Sequence, residues 1–284
     1  MATFSNRATL TYNGRTTDSN TVTGTYAETL AVTKTALTEL YRIGDQLTYV
    51  VGLVNSGATA TSPLTVTDDL GAYLLADGVT TVYPLTYTEG TLTYYVNGVL
   101  QPAPTVAATQ PLTVTGITLP AGGNALLIYQ ATANGYAPPA AGGTVENTVT
   151  VGGNPGEDLT ATETVTVTAE PELTITKDLE PAVIPENGSL TYTFVIENSG
   201  NTEAVATDNV TVTDLFDPIL TIGSVTLNGV ALAEGTGYTY NTSTGLFETV
   251  AGVITVPAAT YTQQPDGSYL ITPGAAVLRV VGTI

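Results

Sequence analysis

Apolar residues alternate with threonine and other polar residues from one end of the chain to the other. TLTYNG, LAVTKTAL, QLTYVVGLVN, LTVTD, TLTYYVNG, LTVTGITL, ALLIYQATA and ENTVTV all follow this rule. A two-residue period puts one set of side chains on a buried face and the other in solvent, which is the signature of a half-buried strand. The segments are rich in Val, Ile, Thr and Tyr, residues that pack well on a pleated surface. Asn13-Gly14, Asn97-Gly98, Asn134-Gly135, Asn187-Gly188 and Asn228-Gly229, together with proline-rich breaks, separate them as turns. No long segment holds the 3.6-residue period of an amphipathic helix. The pattern predicts an all-β protein built of sandwiches with short strands.

The pattern also repeats. AVTKTALTELYRIGDQLTYVVGLVNSG, from Ala31, aligns with TITKDLEPAVIPENGSLTYTFVIENSG, from Thr174. Lys34 meets Lys177, Tyr49 meets Tyr192, Asn55 meets Asn198 and Gly57 meets Gly200, each pair separated by 177 − 34 = 143 positions. Further on, TVTDDL with Asp68 matches TVTDLF with Asp214. VNGV around Asn97 matches LNGV around Asn228, and LPAGGNALLIYQATA matches TPGAAVLRVVGTI. Two homologous sandwiches in tandem are expected, at 31–152 and 174–284, joined by a connector over 153–173.

The copies are unequal. The first runs on into GGTVENTVTVGG, a strong final strand around Asn147, whereas the second ends at Ile284 after VLRVVGTI. The second copy is therefore expected to lack its final strand. A spare one stands at the front: NRATLTYNG, from Asn6, is similar to NTVTVGG, from Asn147. The spacing agrees, since Asn6 lies 34 − 6 = 28 residues before Lys34 and Asn147 lies 177 − 147 = 30 before Lys177. Residues 1–14 are read as a donor strand and 15–30 as its connector. Asn6, Ala8, Leu10 and Tyr12 fall on one face, which should fill the groove.

A sandwich short of one strand exposes unpaired backbone groups beside an apolar groove, and a donated strand cures both. With donor and acceptor at opposite ends of one chain, donation between copies is heterologous and produces a head-to-tail homopolymer. Closure within one chain is the alternative. The 34 − 14 = 20 residues from Gly14 to Lys34 reach roughly 65 Å at most, so such closure would stretch the linker along the first domain. It would give a monomeric surface adhesin or ligand-binding module.

Composition narrows the function. The 284 residues carry Lys+Arg 6 against Asp+Glu 25, a net charge of −19, which excludes a nucleic-acid partner. There is no His and no Cys, so the commonest general base, thiol nucleophiles, disulfides and nearly every zinc or copper site are excluded. Nothing matches a nucleophile elbow, a P-loop or a dinucleotide fingerprint, and no external-substrate enzyme is expected. Asp68 with Asp69, and Asp208 with Asp214 and Asp217, are the carboxylates that calcium would use. They lack EF-hand spacing, and no cofactor or resident metal is expected. MATFSN has neither the basic nor the apolar part of a secretion signal, and no apolar run is long enough to span a membrane. An extracellular, cell-surface or spore-surface location would then need another export route.

Lysine in the first strand, GD-x-LTY, x-N-SG, VTD-L and N-T-V-T-V recur together and in order. This set resembles the Ig-like surface repeat of Gram-positive bacteria known as domain of unknown function eleven. The resemblance covers 31–151 well and 174–284 short of one strand. It implies Ig-like sandwiches in a cell-surface or fibre-forming protein. It also directs attention to the lysines, since the chain has only two, Lys34 and Lys177, at equivalent positions. Lysine, asparagine and a buried acid are the set that forms autocatalytic isopeptide bonds in such surface domains. The resemblance implies Lys34–Asn147 with Asp68, and Lys177 with Asp214 and the Asn6 of the next copy. That chemistry needs a dry site where the lysine amine is neutral and a carboxyl group shuttles protons. Otherwise the lysines are solvated strand residues that discourage aggregation.

Overall fold

The computed structural model describes residues 3–25, 29–153, 157–185 and 187–284. Residues 26–28 of the first connector and 154–156 of the second lie outside the described residues. The protein divides into two compact units. One holds the chain up to Pro138 with Gly143–Val167 and Pro265–Gly267, and the other holds Pro139–Gly142, Thr168–Gln264 and Ser268–Ile284. Apart from the three-residue 3₁₀ turn Ala206–Asp208, the regular elements among the described residues are strands, so the fold is all-β.

The chain opens with β1 (Thr3–Asn6), β2 (Thr9–Tyr12), β3 (Arg15–Asp18) and β4 (Val22–Thr25). β1 pairs antiparallel with β4, and β2 with β3. Together they make one long hairpin whose tip is Asn13-Gly14. Both tip residues have positive φ, 47° and 75°, the geometry of the two-residue turn that matches strand twist. The donor read as a single strand over residues 1–14 is thus the first arm of a hairpin. The physical reason is that Asn-Gly folds the chain back, so the nearest backbone partner is the supposed connector.

The first sandwich is made from β5 (Leu30–Ala36), β6 (Leu40–Tyr41), β7 (Gln46–Asn55), β8 (Leu64–Asp68), β9 (Tyr73–Leu74), β10 (Thr81–Val82), β11 (Leu85–Tyr87), β12 (Thr93–Val96), β13 (Val99–Gln101), β14 (Thr105–Thr109), β15 (Leu112–Ile117), β16 (Asn124–Ala133), β17 (Thr144–Gly152) and β18 (Leu159–Val167). One sheet runs β13-β12-β16-β7-β5 and the other β14-β15-β8-β17-β18-β6. Leu47, Tyr49, Val51 and Leu53 alternate inward from β7, and Val145, Val149 and Val151 do so from β17. The domain therefore extends to Val167 rather than Gly152. The segment read as a connector contains β18, whose Val165 and Val167 are buried.

The second sandwich is made from β19 (Leu173–Glu180), β20 (Ser189–Asn198), β21 (Thr213–Leu215), β22 (Thr221–Leu227), β23 (Val230–Ala231), β24 (Tyr238–Asn241), β25 (Leu246–Thr249), β26 (Thr260–Gln263), β27 (Tyr269–Thr272) and β28 (Gly274–Thr283). Its first sheet, β19-β20-β28-β22-β23, reproduces β5-β7-β16-β12-β13 strand for strand. Its second sheet is only β21-β25-β24. β8 is flanked by β15 and β17, but β21 pairs only with β25 among the described residues. Among the described residues this sheet holds no counterpart of β17 or β18. The face such strands would cover stays open. Leu30 is 5% exposed on β5, while its counterpart Leu173 is 36% exposed on β19.

Candidate functional site

In the first domain Lys34 projects from β5 into the space between the sheets. Thr33 and Thr35 beside it face solvent, as strand alternation requires. Lys34 Nζ donates to Asp68 Oδ2 at 2.6 Å, and the two side chains are 0% and 3% exposed. Asp68 ends β8, where its Oδ1 also accepts the Leu70 N–H at 3.0 Å. The Tyr129 hydroxyl, from β16, donates to the same Oδ2 as Lys34. Asn147, from β17, is fully buried, and its Nδ2 donates to the Tyr129 hydroxyl at 3.4 Å. The structure thus brings Lys34, Asp68 and Asn147 together in one buried site, bridged by Tyr129. Lys34 and Asn147 reach it from opposite sheets rather than from adjacent strands.

Burial lowers the Lys34 pKa, and Asp68 opposes that by attraction and hydrogen bonding. Lys34 Nζ also stands 5.1 Å from the centre of the Tyr49 ring, which stacks on Tyr129 at 5.6 Å. Burial pushes the Tyr49 and Tyr129 hydroxyls up, so both stay protonated near neutrality. Neither Asn147 Oδ1 nor the Tyr49 hydroxyl makes a hydrogen bond of ordinary geometry, although Asn147 is near enough to Tyr49 to pull its hydroxyl back down. An amide oxygen left without a donor in a dry site is costly to bury, at about 1–3 kcal/mol. Such a carbonyl is open to polarisation by a nearby acid. Asp69, next to Asp68, accepts the Thr148 N–H at 2.8 Å and ties the loop after β8 to β17. Burial raises its pKa despite that bond.

The second domain holds half of this arrangement. Lys177, on β19, is ion-paired with Asp214 of β21, with the side chains 42% and 17% exposed. Its ammonium sits 4.4 Å over the Tyr192 ring and farther from Phe194 and Phe216, at 5.5 Å and 5.6 Å. Val280 pairs with Tyr192 as Tyr129 pairs with Tyr49, so the bridging hydroxyl is replaced by an apolar side chain. Asn6, the residue aligned with Asn147, ends β1 opposite Val22 and is exposed. Ala8 lies between β1 and β2, while Leu10 and Tyr12, on β2, are 60% and 52% exposed.

Sequence reasoning missed Tyr49 and Tyr129. The signal was the alternation of QLTYVV and ALLIYQ, which turns both rings inward, where a hydroxyl must find a partner. Of the acids considered for calcium, Asp68, Asp69, Asp208 and Asp214 hold contacts within the protein. Asp68 and Asp214 hold the lysines, and Asp208 accepts the Val205 N–H at 2.7 Å. Among the described residues no group of three or more His, Cys, Asp or Glu is placed to hold a metal ion. Among the described residues no helix is long and apolar enough to cross a membrane.

No family model matches the chain, and no curated protein matches it. The resemblance to the surface repeat thus rests on the motifs that carry it. Solved structures similar to the chain include BcpA, the major pilin subunit of Bacillus cereus, at 11% identity and a TM-score of 0.37, covering 96% of this chain and 73% of that one. The pilus backbone RrgB from Streptococcus pneumoniae is 13% identical with a TM-score of 0.35, over 86% and 55% of the two chains. ACE19, the collagen-binding subdomain of the Enterococcus faecalis surface protein ACE, is 9% identical with a TM-score of 0.30, over 51% and 99%. At these scores the likenesses carry no argument about what this chain does.

Proposed function

We propose that the chain is a structural subunit of an extracellular fibre, polymerising head to tail by donating its N-terminal segment to the second domain of the next copy. The observation that carries this reading is the open flank of β21, whose counterpart β8 has a strand on each side. An open flank next to exposed Leu173, Ile175 and Leu215 is a template for strand addition. The N-terminal segment supplies the complementary feature, a run of exposed apolar residues that includes Phe4, Leu10 and Tyr12.

Isopeptide bonds then reinforce the subunit and seal the contact. In the first domain, a proton passes from Lys34 Nζ to Asp68 Oδ2 along their 2.6 Å hydrogen bond. The neutral amine attacks Cγ of Asn147, the new Nζ–Cγ bond forms, and the Cγ–Nδ2 bond breaks. A second Nζ–H proton moves through Asp68 to Nδ2, which leaves as ammonia. No oxidant, metal or cofactor is consumed, and each site turns over once. The same steps at Lys177 and Asp214, with the Asn6 of the next copy, would join subunits covalently. A donated segment would also remove Lys177 from solvent, which the chemistry requires.

Gel electrophoresis after boiling in denaturant, with intact mass on each band, tests this reading. A ladder of multiples, lighter by one ammonia per bond, is expected. A species that stays monomeric at every concentration by light scattering would overturn the fibre and favour the closed single-chain module. A fibre that boils to full-mass monomer would leave donation and remove the covalent bonds.

A further inference from the structure

The N-terminal hairpin and the β17–β18 hairpin share more than composition. β1 and β4 pair Thr3 with Thr25, Phe4 with Gly24, Ser5 with Thr23 and Asn6 with Val22. β17 and β18 pair Thr144 with Thr166, Val145 with Val165, Glu146 with Thr164 and Asn147 with Glu163. Every one of these pairs maps on its counterpart by the same shift, 147 − 6 = 163 − 22 = 141. Two hairpins matched in both arms and in cross-strand register are equivalent units, since a slip of one residue would turn every side chain to the other face.

The packing agrees. Val145 and Val165 form a cross-strand pair that is wholly buried in the first domain. Phe4 and Gly24 occupy the same two places, and a Cβ on Gly24 would lie only 2.3 Å from Phe4 Cζ. One large and one absent side chain stand where two valines stand elsewhere, although Phe4 is 50% exposed in the free hairpin. Past Arg7 and Ala8 the N-terminal pairing slips by one residue, from Asn6–Val22 to Thr9–Asp18, the register that the two-residue Asn13-Gly14 turn sets by pairing Tyr12 with Arg15.

We infer that the donated unit is the whole hairpin, residues 3–25, entering the second domain of another copy in the register that β17–β18 hold in the first. This rests on the strand-donation reading and specifies its partner surface. β17 pairs with β8 at Val149–Asp68 and Thr150–Thr67, so Ala8 of one copy meets Asp214 of the next, and Thr9 meets Thr213. β18 lies parallel to β6 with Thr166 opposite Leu40. The counterpart of Leu40 is Val183, which is 88% exposed, and Thr25 of the donor meets it. Both missing strands are thereby supplied, and the Asn6 carboxamide comes to the position that Asn147 holds beside the first-domain acid.

The chain has no cysteine, so engineered pairs report register directly. Directly opposed strand residues lie about 5 Å apart at Cα, within disulfide range. All four positions are exposed, so the substitutions spare the core. Full-length Thr9→Cys/Thr213→Cys and Thr25→Cys/Val183→Cys are each oxidised and run on a non-reducing denaturing gel, with Lys177→Arg in the background to remove any isopeptide ladder. Both pairs are expected to give ladders of multiples, with Thr9→Cys/Thr211→Cys giving less than a tenth of the product. A ladder from the first pair without one from the second would mean a single-strand donor and overturn the hairpin. A stronger ladder from the Thr211 pair would overturn the register, and disulfides confined to monomer would overturn donation between copies. Wild-type protein that never grows beyond monomer would instead sink the fibre reading itself, whatever the cysteine pairs do.

Discussion

A lysine with no solvent-exposed side-chain surface is costly unless a partner offsets the lost hydration, and Lys34 has that partner in Asp68. Removing the acid strands the cation. Asp68→Ala is expected to destabilise the first domain by about 3–5 kcal/mol in denaturant melts and to abolish ammonia loss in its intact mass. Tyr129→Phe keeps the ring stack but takes away the hydroxyl that bridges Asp68 and Asn147. It should slow bond formation after refolding by more than tenfold while costing about 1 kcal/mol of stability. The pH dependence is read in Asn147→Ala, where no bond can form. Because burial lowers the folded Lys34 pKa below the ordinary 10.5, the unfolded chain binds more protons between those two values. Stability should therefore rise with pH through that window, and the rise should vanish when Lys34→Met is added. Equal slopes for the two proteins would show that Lys34 is not burdened by burial.

At the scale of elements, the deciding contrast is between β8 and β21. The same VTD motif closes β8 and leads into β21, yet one is a central strand and the other an edge. Edges of this kind are normally blunted or covered. Fusing a second copy of residues 144–167 to Ile284 through a flexible linker offers the edge its own hairpin. That fusion is expected to stay monomeric by light scattering and to melt above the unfused chain, because the open face of β19 becomes buried. Continued growth with concentration would mean that assembly does not use this edge. The hairpin itself was half legible. Asn13-Gly14 reads as a turn, but residues 15–25 read as linker, since whether a threonine-rich segment is a strand depends on finding a backbone partner. The same applies to β18, whose sequence reads as connector and whose Val165 and Val167 are buried by its pairing with β17.

For the whole molecule, the net charge of −19 opposes the proposed association of copies. Like-charged copies repel, and salt screens that repulsion over a Debye length that falls from about 30 Å at 0.01 M to about 8 Å at 0.15 M. Assembly followed by light scattering should accelerate several-fold across that range, the reverse of a contact held by opposite charges. Slower assembly at higher salt would instead point to an ion-paired interface.

The sequence by itself determined the strand period, the turns, the tandem repeat and the two equivalent lysines. Each of these is a local or a comparative property, written in alternation and in alignment. Only the tertiary structure decided that Tyr129 joins Lys34, Asp68 and Asn147, because side chains from four strands in two sheets meet there. It also decided that two strands rather than one are wanting, since strand order is set by long-range pairing that no local pattern encodes. The period says which face of a strand is buried, and only the assembled sheets say what covers it.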